Sequence, residues 1–129
     1  MSAAAQIVRT RGTIVCAAEC RDGLPAHGSY GAVLASASTP AALLAMINAP
    51  GYSMPDQWQV QIQAQIQLKA RVMVKSDGLS NEQIRAAHFE PVADVSAAVE
   101  ERLQDGGTLC VLPHGPQTIP YLRSLLSVR

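Results

Sequence analysis

Three polar stretches carry the side chains that acid, base, metal or ring-stacking chemistry requires. Glu19–Gly31 brings Glu19, Arg21, Asp22 and His27 among three glycines, Ser53–Trp58 brings Asp56 and Trp58, and Pro113–Pro120 brings His114. Two histidines are the usual acid, base or zinc pair. No third ligand of recognisable spacing accompanies His27 and His114, however, so both read as exposed loop histidines and no metal site is assigned. Cys16 and Cys20 are four apart within and just after an apolar run, which suits packing better than metal or redox chemistry. Gly23-x4-Gly28 followed by Ser29 has the outline of a phosphate loop, yet the lysine before the hydroxyl residue is missing, as is any GxGxxG pattern. Trp58 carries two readings. An indole near a helix start can be a buried anchor, or it can stack on a flat ring while its Nε1–H donates to an anion held by the helix end.

The elements that must position these residues alternate. Thr13–Ala18 (TIVCAA) is a continuous apolar run of strand length, and Arg71–Lys75 (RVMVK) and Thr108–Leu112 (TLCVL) are similar, with Phe89–Ala93 a shorter strand. Between them fall helical segments at Tyr30–Ala37, at Pro40–Ala49 with Thr39 as cap and Pro40 at the first position, at the stretch after Ser80, and at Val95–Leu103 after Asp94. A short helix over Ser2–Arg9 has no evident cap. Gln57–Leu68 reads QWQVQIQAQIQL, whose perfect alternation is the period of a half-buried strand. Helix is nevertheless the reading taken. Ser53 and Asp56 have capping-box spacing, Pro55 suits a first helical position, and Trp58, Ile62 and Ile66 recur at i, i+4 as an apolar stripe. The resulting order predicts an α/β fold, an open and mainly parallel sheet of about four strands with helices on both faces, a three-layer sandwich. In such sheets ligands bind at the strand C-terminal ends, where all three polar stretches would meet.

Composition narrows the function classes. The chain has 129 residues, enough for one core, and 48% of them are apolar against 16% charged, too hydrophobic for a disordered tail. Ten basic and ten acidic residues cancel, and no basic cluster is present, so nucleic acid is not an expected partner. No run approaches the ~18 apolar residues of a membrane span, nor does the start look like a signal peptide. The three cysteines match no disulfide framework, which points to a reducing, cytoplasmic setting.

Three motifs in register carry a family resemblance. AAECRDG (Ala17–Gly23), DQWQ (Asp56–Gln59) with its apolar partners through Ile66, and the Pro-x-Gly-x-x-Thr-x-Pro element from Pro113 to Pro120 resemble the C-terminal domain of the lactate racemase family, in order over nearly the whole chain. The resemblance implies a racemase or epimerase of 2-hydroxy acids, an isomerase that uses a nickel-pincer nucleotide as hydride acceptor. It also implies that the acid and base histidines, the lysine joined to the cofactor and the nickel-ligating histidine belong to an N-terminal cofactor-binding lobe that this chain does not contain. A substrate-contacting Gln and Lys would fall just before Met1. Onto this chain the resemblance carries one cofactor-binding residue, Trp58, with no catalytic and no metal residue; His27 and His114 match no catalytic histidine of the family.

The expectation is therefore one domain over residues 1–129, the C-terminal lobe of a lactate-racemase-like enzyme, with the partner lobe absent, no cofactor held by the chain alone and no activity alone. Met1–Ala5 resembles the inside of a family helix, so a fragment is expected. Self-association into a homo-oligomer over the Trp58 edge is expected as well. The alternative from another class is a non-enzymatic α/β interaction or ligand-sensing module.

Overall fold

The computed structural model describes residues 1–24, 27–104 and 106–122. Its elements follow in the order α1 (Ser2–Ile7), β1 (Thr13–Ala17), α2 (Tyr30–Ala35), α3 (Pro40–Ile47), α4 (Gln57–Lys69), β2 (Arg71–Lys75), α5 (Asn81–Ala86), β3 (Glu90–Pro91) and α6 (Val95–Gln104). A short 3-10 helix, Gly115–Gln117, comes last. The sheet runs β1-β2-β3 with every pairing parallel, and Thr13 stands opposite Arg71, Met73 opposite Glu90. The fold class is therefore α/β, with three strands and six α-helices among the described residues.

Local chemistry starts three of the six helices, α3, α5 and α6. Thr39 Oγ1 accepts from Ala42 N at 3.2 Å ahead of Pro40, and Asp94 Oδ1 accepts from Ala97 N at 3.1 Å. Ser80 forms a full capping box, its Oγ taking Gln83 N at 3.2 Å while Gln83 Oε1 takes Ser80 N at 2.8 Å.

Two apolar clusters share α4. On one side Val33, Leu34, Leu43 and Ile47 of α2 and α3 close on Val60 and Ala64. On the other, Ile14 and Val72 of the sheet close on Ile66 and Ala70, with Ala4, Ala5 and Val8 over them. Burial of side chains such as Leu43 and Val60, both fully enclosed, contributes ~1.5–3 kcal/mol each. Val72, Met73 and Val74 are all buried, which requires cover on both faces of β2 because successive strand side chains point opposite ways.

The structure corrects two expectations. Thr108–Leu112 forms no strand, so the sheet has three described strands rather than four; Leu109 and Val111 are exposed and the run has no ladder partner. Strand propensity in that run is real, but a strand exists only through a neighbour's hydrogen bonds. The stripe at Trp58, Ile62 and Ile66 is not a single core face either. Ile66 is buried, whereas Trp58 is 59% and Ile62 42% exposed, and Val60 and Ala64 fill the helical core instead.

Candidate functional site

The C-terminal edge of the sheet is zipped together by backbone. Ala18 N donates to Lys75 O at 3.0 Å, then Gly78 N and Ser76 Oγ both donate to Glu19 O, at 2.9 and 3.0 Å. Gly78 has to lack a side chain there, since a Cβ would stand 2.6 Å from Glu19 O. The loop after β1 turns at Cys20, whose φ is 48°, and at Gly23, whose N–H returns to Cys20 O. Pro25 and Ala26 of that loop lie outside the described residues. It arrives at Gly28 and Ser29 beside the start of α4.

That start is built differently from the expected capping box. Met54 to Gln57 is a tight turn closed by Gln57 N to Met54 O, with Pro55 second and Asp56 third at φ 63°, ψ 0°, the left-handed conformation a type II turn requires at its third position. Pro55 thus precedes the helix instead of opening it. Asp56 is the N-cap, but its side chain caps nothing in α4; Oδ2 accepts from Ser29 N at 2.9 Å. The reciprocal bond that a box would supply comes from Gln57 Oε1, which accepts from Met54 N at 2.7 Å.

Along the first turns of α4 runs a groove of about 400 Å³. Trp58, Ile62, Ile66 and Met1 give it apolar walls, and Tyr30, Gln59 and Gln63 supply the main polar atoms. The Tyr30 hydroxyl donates to Gln63 Oε1, and burial pushes its pKa above the ordinary 10.0, so it remains a protonated donor at neutral pH. Gln63, the one polar side chain buried among the described residues, donates from Nε2 to Ala87 O at 2.8 Å. Gln67 does the same to His88 O at 2.6 Å. These two amides close the carbonyl end of α5, where His88 turns left-handed at φ 60° and its Nε2–H donates to Leu34 O at 3.1 Å.

The structure brings together two of the three polar stretches, the loop after β1 and the Ser53–Trp58 start of α4. Trp58 lines the groove and is more than half exposed, so it is not a buried anchor. The third stretch is elsewhere. His114 caps the 3-10 helix, which packs on α1, and neither His114 nor His27 lines the groove. Cys16 lies in β1, and Cys16, Cys20 and Cys110 are unbonded thiols. No cluster of three His, Cys, Asp or Glu side chains suited to a metal occurs among the described residues. Tyr30 and Gln63 escaped the sequence reading. The spacing of Gln63 and Gln67 on one helical face was the available signal.

The groove can therefore stack a ring on an indole and exchange hydrogen bonds with amides and a phenol. Among the described residues, none that lines it has a side chain charged at neutral pH to move a proton.

The family described as the lactate racemase C-terminal domain matches residues 1–119. The chain belongs to that family. It is 27% identical over 124 residues to the lactate racemase of Thermoanaerobacterium thermosaccharolyticum, a match that covers 92% of this chain and 29% of that protein. The solved structure of the lactate racemase apoprotein from the same organism superposes with a TM-score of 0.69 at 24% identity, over 81% of this chain and 25% of that one. The family resemblance read from the sequence is borne out, and the chain spans under a third of the length of its curated relative. None of its helices, among the described residues, is long and apolar enough to cross a membrane.

Proposed function

We propose that this lobe closes over a nickel-pincer nucleotide carried by a separate N-terminal lobe, in a racemase or epimerase of 2-hydroxy acids. The observation that supports the reading is the exposed indole of Trp58 on an apolar groove along the first turns of α4, in a chain of this family. The residues fit the cofactor as a cover and not as a cradle: Trp58 and Ile62 offer flat apolar area and Gln59 an amide, while no metal-ligand set is present among the described residues. When bound, such a cofactor supplies the hydride acceptor. This chain's part would be to stack Trp58 on the bound group and to exclude water from it. Acid and base groups are assigned to the partner lobe, in keeping with a groove that the described residues line with no charged side chain. The unbonded thiols fit a cytoplasmic setting.

The test is reconstitution. The 129-residue chain with nickel and cofactor is expected to leave L-lactate unracemised by chiral chromatography. Mixing it with a separately produced, cofactor-loaded N-terminal lobe of a lactate racemase should restore turnover, and Trp58→Ala should reduce that turnover about 10-fold or more, the scale of losing one stacking contact of ~1.4 kcal/mol. Turnover by the chain alone above a boiled control would overturn the reading. Cofactor-independent ligand binding in the groove with no turnover in the mixture would favour the sensing module.

A further inference from the structure

We propose that Asp56 is a positioning residue, whose carboxylate clasps the start of α2 to the start of α4 and so sets Tyr30 and Trp58 as the two aromatic walls of the groove. The proposal rests on the reading of that groove as the cofactor face and adds the device that shapes it.

Asp56 departs from an ordinary N-cap in both respects that define one. An ordinary cap has extended backbone and turns its side chain inward to the second or third amide of its own helix. Asp56 is left-handed, a conformation that Asp and Asn tolerate better than most residues, and it turns its carboxylate outward to an amide 27 positions earlier. The opposite side is adapted to receive it. Gly28 has φ +86°, and a Cβ there would stand 2.7 Å from Asp56 Oδ2, so the close approach requires glycine. Ser29, which gives the N–H, is the N-cap of α2, and Tyr30 is that helix's first residue. Trp58 follows Asp56 by two residues. One carboxylate thus lies within two residues of both aromatic walls.

A second tie completes the clasp. The Tyr30 hydroxyl donates to Gln63 Oε1, so Tyr30 is fixed to α4 at its backbone through Asp56 and at its tip through Gln63. Without Asp56 the start of α2 pivots about the tip contact, and the first turn of α4, which receives no side-chain cap from its own N-cap, is released with Trp58 on it.

Trp58 is the single tryptophan of the chain, so its fluorescence reports on this turn alone. Time-resolved anisotropy of the purified chain needs no cofactor. In Asp56→Gly, which keeps the left-handed backbone and removes the acceptor, the amplitude of the fast nanosecond component should rise about twofold while far-UV circular dichroism stays unchanged. Asp56→Asn keeps an oxygen acceptor in the same conformation and should restore the native decay. Gly28→Ala, which pushes the carboxylate away from the other side, should reproduce the Asp56→Gly decay and add little in its background. If Asp56→Gly does not fold, Gly28→Ala carries the test. A native decay in the folded glycine variant, or an asparagine variant as mobile as the glycine one, overturns the clasp. Either result leaves the lobe assignment standing, whereas failed reconstitution would remove the assignment and leave the clasp.

Discussion

Gln63 shows how a single amide can be invisible in a sequence and decisive in a fold. Six glutamines alternate through α4, identical in type, and only the packing of α2 and α5 selects Gln63 for burial, with Tyr30 on its oxygen and Ala87 O on its nitrogen. Trp58, by contrast, is unique in type, yet the sequence left it open between a buried anchor and a stacking surface, and only the structure shows its indole exposed on the groove. Gln63→Leu removes both partners in a buried site and should cost about 2–3 kcal/mol in a urea melt, since an orphaned buried carbonyl alone costs ~1–3 kcal/mol. Gln63→Glu sharpens the test. A carboxyl in that site has its folded pKa raised by burial, so the folded state binds more protons than the unfolded one and stability falls as pH rises through the carboxyl range. The glutamate variant should therefore be more stable at pH 4.5 relative to wild type than at pH 7. A pH-independent difference would show that the amide's partners, and not its burial, carry the effect.

At the scale of elements, what the sequence disclosed depended on whether the deciding contacts were local. Thr39, Ser80 and Asp94 act within three residues of themselves, and each caps as its spacing implied. The alternation of α4 was misleading in period yet helical in fact, because glutamine is a good helix former and the two cores on either side of the helix need residues all round it. The start of α4 and the run Thr108–Leu112 were not legible, since one depends on Ser29 and the other on a strand partner, both distant in sequence. The seam between β2 and β3 is likewise non-local. It is reinforced by Arg71 and Glu90, whose guanidinium and carboxylate meet through two hydrogen-bonding nitrogens. The hydrogen bond from Arg71 holds the Glu90 carboxyl below its ordinary 4.5. Because the folded value is depressed, the pair's contribution is present above pH 4.5 and is lost as pH falls through the lower folded value. Both side chains are more than a third exposed, so its size belongs to the ~0–1 kcal/mol of surface pairs. Glu90→Gln should therefore lower Tm slightly at pH 7, with the difference shrinking as pH falls below 4.5 and shrinking in high salt.

The molecule as a whole leaves several large apolar side chains uncovered. Trp58 and Ile62 border the groove, and Val111, Ile119 and Tyr121 are 68%, 92% and 84% exposed along the segment after α6. Apolar area on that scale marks surface meant to be covered, and zero formal net charge provides little repulsion to keep copies apart. The parallel sheet was legible in the alternation of apolar runs, but the exposure of Val111, Ile119 and Tyr121 was not, because exposure depends on which elements fail to find a neighbour. We expect the purified chain to self-associate, with a second copy covering the Trp58 edge that a cofactor-bearing lobe would otherwise take. Size-exclusion chromatography with light scattering at micromolar concentration should give a dimer or larger species. Trp58→Lys puts a charge at the centre of that contact and should shift the mass toward the monomer without loss of helix content. A monomeric wild-type chain, with Trp58 emission at the wavelength of a fully hydrated indole, would mean that the groove edge tolerates water and that the apolar area is no driving force for assembly.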